Sequence, residues 1–110
     1  MTRTAYLIGS VVLIAANLTV SRASAQEGDR VQGLALARQV CSECHAIDRS
    51  LALSPNRAAP RFEVIANVPG MSPIALTATL QTSHRTMPNL MLSRDELHNI
   101  VAYILGLRAN

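Results

Sequence analysis

The chain contains two cysteines, Cys41 and Cys44, and they stand three positions apart. A disulfide between them would close a very small loop and remove little entropy from the unfolded chain. A disulfide framework therefore does not stabilise this fold. Bulky core material is scarce as well: the 110 residues include one Phe, two Tyr and no Trp. A small domain with so little to bury needs a staple of another kind.

The folded domain is shorter than the chain. Residues 1–25 open with Arg3, continue as an apolar run from Tyr6 to Val20 broken by Gly9, Ser10, Asn17 and Thr19, and close with Ala23-Ser24-Ala25. That is the pattern of a secretory signal peptide cut between Ala25 and Gln26, and the run is short for a membrane-spanning helix. Removing 25 residues from 110 leaves 85, the single domain 26–110. With Arg3 and Arg22 gone, the domain keeps eight Arg against seven acidic residues, so its net charge falls from +3 to +1. The chain has no Lys and no stripe of basic and aromatic residues, which argues against a nucleic-acid partner. The residue directly after the cut is Gln26 and not Cys, which argues against a lipid anchor and for a domain with no stable membrane insertion. Export, here to the periplasm, also puts the thiols in an oxidising compartment.

Three helical stretches stand out. The first runs from about Arg30 to Cys41, with Asp29 as N-cap and Gln32 as its reciprocal partner. Val31, Leu34, Ala35 and Val40 lie near one face. Gly33 interrupts this helix, and a mid-helix Gly is costly unless something approaches the backbone there. The second starts at Ser72-Pro73, a favoured N-cap followed by a favoured first residue, and ends before His84. The third opens on the capping box Ser93-Arg94-Asp95-Glu96. It carries Leu97, Ile100, Val101, Ile104 and Leu105 on one face, with Arg108 near its C-terminus. His98 lies off that face and is expected in solvent. No segment alternates apolar and polar residues, so the expected fold is all-α, three main helices with long loops. Between the first two helices lie about thirty residues of weak periodicity, and such a loop usually wraps something functional.

Cys41-Ser42-Glu43-Cys44-His45 is a C-x-x-C-H motif, the attachment signature of c-type haem. Thiols at i and i+3 project from one side of a helical turn, so each can add to one vinyl group of a porphyrin. The adjacent His45 then reaches the iron from the anchored side. A zinc site would need further ligands, with only His84 and His98 to supply them. A thioredoxin-like pair would need a βαβ context. A covalently held macrocycle also serves as the missing staple.

With His45 as one axial ligand, the other candidates are Met71, Met87, Met91, His84 and His98. Met87 is preferred, because Pro88 biases it toward an extended backbone that can present the thioether sideways into a cleft. Met71 and Met91 are then packing residues. His84 is the main rival.

The domain resembles a small class I cytochrome c of the short single-haem bacterial kind, over essentially residues 27–108. The likeness rests on Cys41 to His45, on Met87-Pro88, and on a last helix bearing Ala102-Tyr103-Ile104-Leu105. Ala59-Pro60-Arg61-Phe62 resembles the family loop whose proline carbonyl orients the proximal imidazole, which implies a bond from His45 Nδ1 to Pro60. The resemblance also implies that the first and last helices cross near the haem edge, with Gly33 facing Ile100 and Tyr103. The mitochondrial members carry a ring of lysines, absent here, so lysine-guided docking is not implied. Arg57, Arg61 and Arg85 could serve haem propionates or a partner.

The expected function is that of a periplasmic one-electron carrier rather than an enzyme, with no catalytic residue of its own. Its partners would be redox proteins: a dehydrogenase or membrane cytochrome complex as donor, an oxidase or another cytochrome as acceptor. The alternatives are a haem subunit of a dehydrogenase complex, or a haem enzyme or gas sensor with an open sixth position.

Overall fold

The computed structural model describes residues 27–84 and 86–110. The signal peptide expected over 1–25 and the role offered for Arg85 lie outside these. Among the described residues, four α-helices follow one another: α1 (Arg30–Leu36), α2 (Phe62–Ala66), α3 (Pro73–Gln81) and α4 (Arg94–Leu105). A π-helical turn over Ala37–Cys41 extends α1. The fold is all-α, and among the described residues the sole strand-like feature is an isolated antiparallel bridge between His84 and Met87. No helix among the described residues is long and apolar enough to cross a membrane.

The caps follow the sequence. Asp29 Oδ1 accepts from the N–H groups of Val31 and Gln32 at 2.8 and 3.2 Å. Ser72 Oγ accepts from Ala75 N at 3.1 Å, with Pro73 as the first helical residue. Ser93 and Glu96 form a complete capping box: Glu96 N donates to Ser93 Oγ at 3.2 Å, and Ser93 N to Glu96 Oε2 at 2.8 Å. These bonds from Ser93 hold the Glu96 carboxyl below the usual carboxylate range. The expected partnership of Gln32 with the Asp29 backbone does not form. The Asp29 N–H instead donates to Asn99 Oδ1 of α4 at 2.7 Å, so a tertiary bond replaces a local one.

The face that α1 buries differs from the expected one. Val31 and Val40 are 75% and 42% exposed, whereas Gly33, Ala37 and Cys41 are buried. Two helices that approach closely must put their smallest side chains in the contact, and the crossing with α4 shows how close this one is. A Cβ on Gly33 would stand 2.1 Å from the Asn99 carbonyl oxygen and 2.7 Å from Tyr103 Cβ. The glycine thus permits the crossing, although the residues it meets are Asn99 and Tyr103 rather than Ile100 and Tyr103. Ile100 instead points into the core with Leu76, Val101 and Ile104. The π turn, closed by a bond from Ser42 N to the Ala37 carbonyl five residues back, widens the helix as Cys41 arrives on its buried side.

The long segment after the cysteines contains α2, which is too short at five residues to show periodicity in the sequence. Arg108 does not cap α4. Its Nε donates to the Ala66 carbonyl at the end of α2 at 3.1 Å, and its guanidinium also meets the Met71 carbonyl. The C-terminal end of α4 is instead met by Arg30, which donates to the Gly106 carbonyl at 2.9 Å.

Gly33→Ala is expected to destabilise the protein by about 3 kcal/mol, because backbone stands where the methyl would go. Val31→Ala on the same helix should change stability by less than about 0.5 kcal/mol. Urea midpoints of the two variants check the contrast.

Candidate functional site

The chain after the π turn coils tightly: Cys44 N and His45 N both donate to the Cys41 carbonyl, at 3.2 and 2.9 Å. Cys41 and His45 are buried, and the two sulfurs are not joined to each other. Burial pushes the Cys41 thiol up to about 11, so at neutral pH it stays protonated and is not the low-pKa thiolate of a redox pair.

His45 is fixed on several sides. Its Nδ1 lies 2.6 Å from the Pro60 carbonyl oxygen. A carbonyl only accepts, so Nδ1 carries the proton and Nε2 presents its lone pair. The Phe62 ring packs against the imidazole with centroids 5.3 Å apart, and Tyr103 of α4 packs edge-on to Phe62 at 6.5 Å. The segment bearing Pro60 is tied to the motif in register. Phe62 N donates to the Ala46 carbonyl at 3.0 Å, Ala46 N to Ser54 Oγ at 3.0 Å, and Asn56 N to the Cys44 carbonyl at 3.1 Å. The Tyr103 hydroxyl donates to the Ile47 carbonyl at 2.8 Å. No local pattern in the sequence links residues 56 positions apart, so this contact is not legible there.

These residues border a cavity of about 450 Å³. Cys41, Cys44, His45 and Pro60 line it, and so do Phe62, Leu76, Leu80 and Ile104 from the helices. Met87 and Met71 also line it, as does His84. The size lies within the ordinary range for small-molecule and cofactor sites. Met91 does not pack as expected: it is 96% exposed. His98 is half-buried rather than solvated, with a buried Nδ1 that meets no hydrogen-bond partner among the described residues. Among the described residues no three of His, Cys, Asp and Glu converge to hold a metal ion. The four-ligand zinc alternative therefore lacks its ligand set.

The loop arginines part ways. Arg61 donates to Glu63 Oε2 at 2.8 Å, and Arg49 holds the other oxygen of that carboxylate at 3.0 Å. Arg49 also reaches the Leu107 carbonyl at 2.8 Å, linking the loop to the chain end after α4. Arg61 is thus committed to Glu63 rather than turned to the cavity, and Arg57 is exposed.

A helical scaffold that brings a C-x-x-C-H segment to the wall of an apolar cavity defines a haem-binding protein of the c type. Among known proteins, the chain is similar to cytochrome c-552 of Bradyrhizobium diazoefficiens, at 35% identity over 88 residues, 80% of this chain and 84% of that protein. The chain belongs to the cytochrome c family. No family model matches it, and no solved structure does. A haem joined through two thioethers fits these residues: two unbonded thiols and an imidazole with Nε2 available share an apolar cavity with a thioether.

Tyr103→Phe is expected to cost about 1 to 2 kcal/mol by leaving the Ile47 carbonyl without its donor. Burial, and then the charge of Asp48, raise the Tyr103 phenol above its ordinary value of 10. A group raised in the folded state contributes stability below its unfolded pKa and loses it as pH climbs through the folded one. The variant should therefore lack that part of the alkaline loss of stability, read from urea midpoints between neutral pH and pH 11.

Proposed function

We propose that this chain is an exported periplasmic electron carrier with one haem c, bound through Cys41 and Cys44 and ligated by His45 and Met87. The observation that carries the reading is the convergence of Cys41, Cys44, His45 and Met87 on a single apolar cavity. Iron held there supplies a one-electron ferric–ferrous couple. The protein residues do the rest. Pro60 keeps the His45 proton on Nδ1 and raises the donor strength of Nε2. The Met87 thioether, paired with an imidazole, favours the ferrous state and raises the potential. The apolar lining excludes water. With His45 and Met87 both holding the iron, no substrate would reach it, which supports a carrier rather than an enzyme.

Residues 1–25 act as the cleaved leader and 26–110 as the working domain. The partners are redox proteins that dock, exchange one electron and leave, a mode suited to small interfaces. A dehydrogenase or membrane cytochrome complex donates, and an oxidase or another cytochrome accepts.

The test is an optical spectrum of the exported protein, oxidised and reduced. A c-type spectrum with the far-red sulfur-to-iron band is expected. A high-spin spectrum that responds to carbon monoxide at neutral pH would replace this reading with an enzyme or sensor. Co-purification at a fixed ratio with a dehydrogenase would make the chain a bound subunit. Met87→Ala should keep the covalent haem, lose the sulfur band and lower the midpoint potential. Cys41→Ala and Cys44→Ala should each impair haem attachment, read by the pyridine assay on the denatured protein.

A further inference from the structure

The cavity is lined by a second imidazole, that of His84, which the carrier reading does not use. His84 and Met87 are opposed across an antiparallel bridge, and Met87 N donates to the His84 carbonyl at 3.3 Å. Residues opposed across such a bridge project to the same side. Both side chains accordingly line the one cavity, Met87 half-buried and His84 more exposed at its rim.

The described residues of the segment that carries them bond to one another. Ser83 Oγ donates to Asn89 Oδ1 at 2.6 Å, spanning the bridge from outside. Among the described residues, no hydrogen bond ties 83–84 or 86–91 to a helix or to the segment that holds His45. The contrast with the proximal side is sharp, for there Ala46, Asn56, Phe62 and the Pro60 carbonyl are all cross-linked. Described residues that bond only among themselves can shift without breaking hydrogen bonds to the helices or to the His45 segment.

We infer that His84 and Met87 form a pair of alternative distal ligands on this hairpin. Met87 holds the position in the carrier state, and His84 takes it when the sulfur leaves. The exchange moves no electron: one neutral donor departs as another binds. Its consequence is a second low-spin state, ligated by His45 and His84, of lower potential because a thioether favours the ferrous metal and an imidazole does not. The inference rests on the reading of Met87 as ligand.

The test uses the exported holoprotein. Met87→Ala is expected to be low-spin without the sulfur band, with the electron paramagnetic resonance signature of two imidazoles. Met87→Ala combined with His84→Ala is expected to be high-spin. His84→Ala alone should keep the sulfur band. Met87→Leu asks the same question with the apolar volume kept, should the smaller side chain impair folding. If Met87→Ala and Met87→Leu are as high-spin as the double variant while the wild type shows the sulfur band, this inference fails and the carrier reading stands. If the wild type lacks the band, the assignment of Met87 fails and this inference falls with it.

Discussion

The structure depends on the close crossing of α1 and α4 at Gly33. A bare backbone position lets the Asn99 carbonyl approach within a distance that no side chain allows. Asn99 then uses its side chain to accept from the Asp29 N–H at the start of α1. Tyr103, one turn further along α4, is held where its ring meets Phe62 and its hydroxyl meets Ile47. Through these two contacts the crossing positions both the residues following the C-x-x-C-H motif and the ring that packs on His45.

The two sides of the cavity are built differently. On the proximal side, four segments interlock through backbone bonds, a buried serine hydroxyl and stacked rings, so the His45 imidazole has one orientation and one tautomer. Glu63 reinforces this edge by holding Arg61 and Arg49 together, and Arg49 in turn holds the chain end after α4. Such solvent-accessible pairs contribute little singly, but together they join the loop to the helical frame. The stretch bearing His84 and Met87, by contrast, shows bonds only among its own described residues. The proposed electron carrier would benefit from this division: an anchored His45 would stay in place, while the second ligand would set the potential through its identity.

The sequence specified what depends on neighbouring residues. The caps at Asp29, Ser72 and Ser93, the apolar face of α4 and the spacing of Cys41, Cys44 and His45 are all short-range chemistry, legible without coordinates. The burial of Cys41 was decided by tertiary contact, since a π turn has no sequence signature strong enough to foretell it. So was the inner face of α1: hydrophobicity pointed to Val31 and Val40, but close approach selected Gly33 and Ala37. Arg108 and Arg61 went to carbonyls and a carboxylate made available by the fold rather than to the partners their positions suggested. By itself the sequence determined an all-α chain with one thiol–imidazole cluster, because caps, periodicity and motif spacing act within a few residues. The tertiary structure alone decided which side chains share the cavity and how firmly the His45 imidazole is held, because those depend on contacts between residues distant along the chain.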